Sequence, residues 1–314
     1  MVEKIAVIGS GLIGRAWSIS FARAGYDVAL YDAKPDAAEA ALAFVDTVLA
    51  DLQGNGLLAG HTPEQVRRRI TPADDLRSAL DGASHVQENT PERIDMKIAV
   101  FRELDALAGP DTVLASSTSA LLPSAFTETL AGRHRCLVIH PINPPYLVPA
   151  VEVVPSPWTA PEVVERAAQI MRGAGQTPIV MKRELDGFVM NRLQGALLQE
   201  AFRLVADGYA SVEDVDIGIR DGLGLRWAFM GPFETIELNA PGGVADYIAR
   251  FDGMYKNLWK SQQRAVDWME ASDAIEAERR VALPAEGLHE RATWRDRRLM
   301  ALLAHKRAAA NDID

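Results

Sequence analysis

The chain has 314 residues, of which 48% are hydrophobic and 24% charged, and its formal net charge is −10. Its length allows two domains, its composition is ordinary for a soluble globular protein, and its acidity argues against a nucleic-acid partner. No apolar run reaches the roughly 18 residues of a membrane span, no Cys/His cluster has zinc spacing, and no secretory leader is recognised. The single Cys136 cannot form an internal disulfide, which favours a cytoplasmic location.

Short β-branched runs alternate with longer helical stretches over residues 1–186. We predict strands at Ile5–Ile8, Val28–Tyr31, Ile70–Thr71, His85–Glu88, Thr112–Ala115, Leu137–His140, Val151–Val154 and Pro178–Met181. Helices are predicted near 12–24, 35–53, 63–67, 93–108, 122–130 and 160–174. This alternation predicts an α/β domain of Rossmann type, with a mainly parallel sheet covered on both faces.

The pattern changes after Asp186-Gly187. Phe188–Asp207 has the spacing of one long helix, and most of the remaining chain is helical as well. We therefore predict an all-α C-terminal domain over residues 187–314, which would bind substrate and form the interface of a homodimer. Its tail carries apolar residues at helical spacing, which predicts an amphipathic helix packed on the body of the protein.

A glycine-rich turn joins the first predicted strand to the first predicted helix. Gly9, Gly11 and Gly14 form the pattern G-x-G-x-x-G, with Leu12 and Ile13 at the start of the helix. The helix N-terminus would hold a pyrophosphate. Asp32, which ends the second strand, would accept hydrogen bonds from a ribose and repel a 2′-phosphate, which favours NAD over NADP. Lys34 weakens that preference, and the alternative is a glycine turn that binds nothing.

A second group of residues has the chemistry of proton transfer. His140 ends one predicted strand, Glu152 lies on the next, and Ser119 follows an earlier strand. A neutral His is the commonest base for the hydroxyl proton that hydride transfer releases, and a carboxylate can fix its tautomer. His140 or Glu152 alone would more often be structural, and the nucleotide loop is what favours a catalytic interpretation.

Five motifs occur in the order G-S-G-L-I-G, S-S-T-S-A-L, H-P-I-N-P-P, V-E-V-V-P and G-F-V-M-N-R-L. Together they resemble the L-3-hydroxyacyl-CoA dehydrogenase superfamily over at least residues 3–243. The segments L-L-P-S, H-P-I-N-P-P-Y, D-G-L-G-L-R-W-A-F-M-G-P and W-R-D-R-R resemble its λ-crystallin/L-gulonate 3-dehydrogenase branch.

The resemblance implies a role for each matching residue. His140 would be the base, and Glu152 would orient and stabilise it. Ser119 and Asn191 would bind the reacting oxygen. Glu92 and Lys97 would contact the cofactor or line the site, although an exposed, charged helix start explains both equally well.

The substrate is predicted from residues outside these motifs. Arg226 precedes M-G-P, and its guanidinium could bind a substrate carboxylate, although a surface ion pair is an equal alternative. Asn143 could contact substrate hydroxyls, and the alternative is that it simply caps a turn. We predict NAD-dependent oxidation of a small 3-hydroxy acid to a 3-oxo acid, with L-gulonate, giving 3-dehydro-L-gulonate, as the first candidate. The alternatives are 3-hydroxybutyryl-CoA, L-carnitine, or a non-catalytic, crystallin-like protein that binds NAD.

Overall fold

One sheet organises the first part of the molecule. We describe a computed structural model of the chain over residues 2–312. Its strands are β1 Lys4–Ile8, β2 Asp27–Tyr31, β3 Ile70–Pro72, β4 Ala83–Glu88, β5 Val113–Ser116, β6 Cys136–Pro141, β7 Ala150–Pro155 and β8 Thr177–Val180. Within the described residues these form a sheet of eight strands in the order β3-β2-β1-β4-β5-β6-β7-β8. All the predicted strands are confirmed, because short apolar runs bounded by turn residues are a strong local signal.

Helices and loops connect these strands, and most of the chain after β8 is helical. The helices are α1 Leu12–Arg23, α2 Ala37–Gly54, α3 Pro63–Arg68, α4 Leu76–Leu80, α5 Ile94–Leu107, α6 Pro123–Thr127, α7 Pro161–Gly173, α8 Met190–Ala206, α9 Val212–Ile217, α10 Gly224–Trp227, α11 Pro232–Leu238, α12 Gly243–Gln262, α13 Trp268–Ala282 and α14 Leu288–Asp312. The predicted helices are present, but the short helix α4 was not predicted from the sequence. Among the helices of residues 2–312, none has both the length and the apolar character needed to cross a lipid bilayer.

The strand directions place two particular residues opposite each other. Strands β1 to β6 are parallel, β7 runs antiparallel to β6, and β8 is parallel to β7. The antiparallel register pairs His140 on β6 directly with Glu152 on β7. Paired residues on neighbouring strands point to the same face of a sheet, so these two side chains meet.

Both faces of the sheet are covered by apolar side chains. One face packs Trp17, Phe21 and Leu49, among others, from helices α1 and α2. The other face packs Phe101 and Phe126 from α5 and α6. Burial of each such side chain contributes about 1.5–3 kcal/mol, so these two layers hold the strand ends in fixed positions.

The described chain forms two compact units. The sheet unit contains the residues up to Met190 and those from Arg295 onward, and the helical unit is Asn191–Trp294. The later part of α14 joins the sheet unit because Leu299, Met300 and Leu303 pack on its core, where Met300 is 2% exposed. The compact units thus differ from the predicted division into 1–186 and 187–314 at the C-terminal helix.

The helical unit buries little apolar surface within this chain. Over residues 191–294, all of them described, the buried hydrophobic residues are Val212, Ala240 and Ala271. Large side chains are exposed instead, including Phe233 at 77% and Phe229 at 70%. Exposed apolar surface of this extent usually marks an interaction site.

Candidate active site

The glycine loop has the backbone geometry that the motif predicts. Gly9 follows β1 with φ +88°, and its amide donates to the Tyr31 carbonyl oxygen at 2.8 Å. A Cβ at Gly14 would lie 1.8 Å from the Gly9 carbonyl oxygen, so only glycine lets α1 start this close to the loop. A Cβ at Gly11 would meet nothing within 4 Å, which leaves open space beside the backbone.

The start of α1 can therefore hold a phosphate. Gly11 is the N-cap residue of α1 and supplies no side-chain cap, so the amides of the first turn remain available to an anion. Leu12 is 55% exposed and Ile13 is half-buried, which leaves the loop accessible from one side. The open space at Gly11 and these amides fit the pyrophosphate of a dinucleotide.

Asp32 lies beside this loop at the end of β2. Its Oδ2 accepts hydrogen bonds from the Ser10 amide at 2.7 Å and the Ser10 hydroxyl at 3.0 Å. Its Oδ1 accepts from the Lys34 amide at 2.9 Å. These bonds fix a partly exposed carboxylate next to the glycine loop, where an unmodified adenosine ribose is favoured over a phosphorylated one.

His140 and Glu152 form the hydrogen bond that the strand register predicts. His140 Nδ1 and Glu152 Oε2 are 2.6 Å apart, and both residues are buried. Because a carboxylate can only accept, the proton of a neutral His140 resides on Nδ1, and Nε2 is the nitrogen that can take up a proton. This is the arrangement of a general base oriented by a carboxylate.

Glu152 is held as an anion by three donors. Besides His140, the amides of Val189 and Met190 donate to its Oε1 at 2.6 and 2.9 Å. Burial alone would raise the pKa of Glu152, but the hydrogen bonds from His140 and these two amides together lower it below its ordinary value. The carboxylate is therefore charged at neutral pH and can stabilise an imidazolium.

The segment that supplies these amides differs from the sequence prediction. The predicted helix Phe188–Asp207 begins only at Met190, and Phe188 has a positive φ of 51° after Gly187. The turn buries the Phe188 ring against His140, with 5.5 Å between ring centroids. Asp186-Gly187 indicated a turn, but no pattern in the sequence indicated that the following residues would contact His140 and Glu152.

Glu92 and Ser119 come together at the end of β5. The Glu92 carboxylate accepts from the Thr118 hydroxyl, from the Ser119 amide at 3.1 Å and from the Ala120 amide at 3.3 Å. Burial would raise the pKa of Glu92, but these hydrogen bonds lower it overall. Glu92 thus fixes the backbone that carries Ser119, a contact that spans 27 positions in the sequence.

Lys97 is placed differently from an exposed helix start. It is 1% exposed, and its Nζ donates to both oxygens of Glu88 at 2.8 Å and to the Thr90 carbonyl oxygen at 2.9 Å. These contacts occupy all three donors of the ammonium group. Any influence of Lys97 on a cofactor would therefore act through the backbone between Glu88 and Glu92. The sequence of β4, A-S-H-V-Q-E, did not indicate this buried ion pair.

The remaining predicted residues lie in two different parts of the molecule. Asn143 follows β6, and its Oδ1 is buried without a hydrogen-bond partner among residues 2–312. Asn191 is the second residue of α8, and Arg226 is exposed on α10; both belong to the helical unit.

Both parts of the chain match domains of one known protein family. Residues 4–184 match the NAD-binding domain of 3-hydroxyacyl-CoA dehydrogenase, and residues 187–276 match the C-terminal domain of the same enzyme.

The chain belongs to the 3-hydroxyacyl-CoA dehydrogenase family.

Similar proteins agree with this membership. A λ-crystallin homolog from Bos taurus is 43% identical, with 95% of this chain and 94% of the relative covered. An L-carnitine dehydrogenase from Streptomyces coelicolor is 37% identical over 96% of this chain and 94% of its own. A solved structure of the NAD+-dependent 5-formyl-3-hydroxy-2-methylpyridine 4-carboxylic acid 5-dehydrogenase shares 28% identity, covers 98% of both chains and has a TM-score of 0.81.

These matches establish the type of reaction. The protein is an NAD-dependent oxidoreductase that acts on the CH–OH group of a hydroxy acid. The glycine loop and Asp32 fit the cofactor of this family, and the paired His140 and Glu152 fit its chemistry.

Proposed function

We propose that this enzyme oxidises a small 3-hydroxy acid to the 3-oxo acid, with L-gulonate as the first candidate substrate. The observation that carries the reaction is the 2.6 Å hydrogen bond between His140 and the anionic Glu152. The resemblance to the λ-crystallin branch and the 43% identity to a λ-crystallin homolog support the choice of branch.

In this proposal the chain's own residues manage the proton and the oxygen. When bound, NAD supplies the acceptor for a hydride from the carbinol carbon. His140 Nε2 takes the proton of the hydroxyl group as the hydride leaves, and Glu152 stabilises the imidazolium that results. Ser119 and Asn191 hold the reacting oxygen, and Glu92 keeps the Ser119 loop in position.

Asn143 supports a hydroxylated substrate. Its Oδ1 is buried and lacks a partner within the described chain, and a buried acceptor without a donor is energetically costly. A substrate hydroxyl could supply the missing donor. Asn143 lies three positions after His140, so it belongs to the loop that follows the base.

Arg226 is the proposed partner of the substrate carboxylate. The Arg226→Ala variant should lower kcat/KM for the best hydroxy acid by more than about threefold, because a charge-assisted bond is lost. Arg220→Ala is the matched control, since Arg220 is also exposed in the helical unit but pairs with Glu213 and Asp221. A loss no larger than that of the control would show that Arg226 does not bind substrate.

L-carnitine is the second candidate, because a relative named L-carnitine dehydrogenase matches almost the whole chain. Trp227 and Phe229 beside Arg226 are exposed aromatic residues that could bind a trimethylammonium group. Measuring NADH formation with L-gulonate, L-carnitine, 3-hydroxybutyrate and 3-hydroxybutyryl-CoA separates the candidates. The proposal requires the highest kcat/KM with L-gulonate, and a higher value for any other compound would contradict it.

We also propose a homodimer formed through the helical unit. The support is its exposed apolar surface, of which Phe229 and Phe233 are the most exposed phenylalanines. A second copy of the chain would give these residues the burial that residues 191–294 do not provide alone. Sedimentation or size-exclusion measurements of the purified protein test this state.

A further inference from the structure

A chain of hydrogen bonds runs through the sheet unit beneath the proposed site. Gln87 on β4 is 0% exposed. Its Oε1 lies 3.0 Å from His85 Nε2, and its Nε2 donates to the Ser117 hydroxyl at 2.7 Å and to the Ile139 carbonyl oxygen at 3.3 Å. One amide thus connects β4 with β6 and with the loop after β5.

Ser117 is the centre of this chain. The Trp17 indole nitrogen donates to its hydroxyl oxygen at 3.0 Å, and Gln87 donates to the same oxygen. Both partners are donors, so the hydroxyl hydrogen of Ser117 must go to Asn89 Oδ1, which lies 2.7 Å away. The hydroxyl group therefore uses its one hydrogen and both lone pairs.

The two neighbours of Ser117 are oriented without ambiguity. Asn89 Nδ2 donates to the carbonyl oxygens of Gln87 at 2.8 Å and Ile8 at 3.3 Å. At the other end, burial lowers the pKa of His85 to about 4, so this residue is neutral, and its Nε2–H faces Gln87 Oε1. His85 Nδ1 has no partner among residues 2–312, which agrees with an unprotonated nitrogen.

Two contacts of the hydrogen-bonded chain, with Ile8 and with Ile139, lie next to the proposed chemistry. Ile8 immediately precedes Gly9 of the cofactor loop, and the Asn89 backbone would lie 3.0 Å from a Cβ at Gly9. Ile139 immediately precedes His140 on β6. The same side chains therefore contact the segment that begins the cofactor loop and the segment that carries the base.

We propose that Ser117 is a positioning residue that, with Gln87 and Asn89, fixes the cofactor loop relative to His140. This inference rests on the proposed role of His140 as the base. Hydride and proton transfer require both groups in place at once, and a small misplacement lowers the rate strongly. Ser117 would act through these neighbours and need not touch the substrate.

The test compares the loss of two hydroxyl groups at the two ends of β5, that of half-buried Ser117 and that of buried Thr112. Ser117→Ala removes the centre of the chain. Thr112→Val is the control, because Thr112 is buried just before β5 and its hydroxyl donates to the Ala83 carbonyl oxygen at 2.8 Å, at the other end of the strand. The assay uses either L-gulonate or L-carnitine, whichever the unaltered enzyme oxidises faster. The binding of NAD to each variant is measured separately by titration.

We expect Ser117→Ala to lower kcat about tenfold while the Kd for NAD changes less than about threefold. Thr112→Val should lower the melting temperature similarly and leave kcat within about twofold of the unaltered enzyme. Ser117→Thr, which keeps the hydroxyl, should restore most of kcat. A merely structural role would lower stability equally in both variants without this selective loss of kcat.

Gln87→Met provides an independent variant should Ser117→Ala fold poorly. It removes the amide that links Ser117 to Ile139, and we again expect about tenfold lower kcat. The double variant should lose less than the product of the two single losses, since both break one network. If kcat of both single variants stays within about twofold of the Thr112→Val value, the positioning role is wrong.

The base role of His140 is checked separately with His140→Gln in the same assay. If that variant keeps more than about a tenth of kcat, the proposed mechanism fails, whatever Ser117→Ala does. If His140→Gln is inactive and Ser117→Ala behaves like the control, only the positioning inference fails.

Discussion

The two compact units differ in how deeply their polar and apolar side chains are buried and in which partners the buried polar groups have. The sheet unit buries polar groups such as Lys97, Glu152 and Gln87 and gives them protein partners. The helical unit keeps most of its charged and large apolar side chains at the surface, with Phe233 77% exposed, although Arg203 is buried. The first unit pairs most of its buried charges within one chain, and the second presents exposed apolar surface.

Most residues proposed for the chemical step therefore lie in one unit, and Arg226, proposed to bind the substrate carboxylate, lies in the other. The residues proposed to hold the proton and the cofactor are fixed by contacts inside the sheet unit, as catalysis by preorganised groups requires. Asn191 and Arg226, proposed to contact substrate, lie in the unit with the weaker internal core. We therefore expect substitutions in the sheet unit to affect folding or kcat. Substitutions in the helical unit should affect association or specificity, except at Asn191, which is proposed to hold the reacting oxygen and whose loss should lower kcat.

The largest expected effect is on folding, at the buried pair of Lys97 and Glu88. Lys97→Met leaves the Glu88 carboxylate buried without a cation, which should lower the free energy of unfolding by about 3–5 kcal/mol. Urea denaturation measures this loss. Adding Glu88→Leu should recover much of it, because the unpaired charge is then removed. A loss below about 1 kcal/mol for the single variant would contradict the comparison.

The next largest effect is on kcat, at Glu152. Glu152→Gln retains the shape of the side chain but removes the charge that stabilises the imidazolium of His140. We expect kcat to fall by about a hundredfold or more, with a smaller change in KM. Steady-state kinetics with the best hydroxy acid would show this. A fall below about tenfold would mean that the carboxylate is structural.

Glu152 should also make the stability of the folded protein depend on pH in the acidic range. Because its pKa is lower in the folded protein, Glu152 adds stability above the pKa of an unfolded glutamate, about 4.3. This contribution disappears as the pH falls through the lower, folded-state pKa. The stability difference between the unaltered protein and Glu152→Gln should therefore shrink below about pH 4. Unfolding measured from pH 7 to pH 3 checks this, and a constant difference would contradict it.

A third effect concerns association of the helical unit. Phe233→Glu puts a charge into its exposed apolar surface. If a second copy covers this surface, the variant should weaken the dimer by about 2 kcal/mol or more. Analytical ultracentrifugation measures the change. Val180→Glu, at an exposed apolar residue of the sheet unit, is the control and should leave association unchanged. Equal effects of both substitutions would remove the distinction between the units.

The smallest expected effect is at an exposed ion pair of the helical unit. Lys256 and Asp252 are 2.6 Å apart, with side chains 62% and 41% exposed. Lys256→Ala should change stability by less than about 0.5 kcal/mol, because water screens the pair. Comparison with Lys97→Met by urea denaturation gives the contrast directly. A loss above about 1 kcal/mol would show that the helical unit also depends on its ion pairs.

Local sequence patterns predicted much of the fold. Every strand was found, since apolar runs and turn residues act over a few positions. The short helix Leu76–Leu80 was missed, although Asp75 caps it in a capping box with Ser78, because five residues carry little periodicity. The start of α8 was misplaced at Phe188, since the left-handed conformation of that residue depends on its packing against His140.

The glycine loop and Asp32 were visible in the sequence because their chemistry depends on adjacent residues and a fixed spacing. The pair of His140 and Glu152 was predicted from residue type and family resemblance, but only the antiparallel register placed the two side chains opposite each other. The partners of Lys97, the Glu92 contact with the Ser119 loop, and the Ser117 network lie between separate strands and loops. Such contacts need the packed sheet, because no local period relates residues that meet only after the chain has folded.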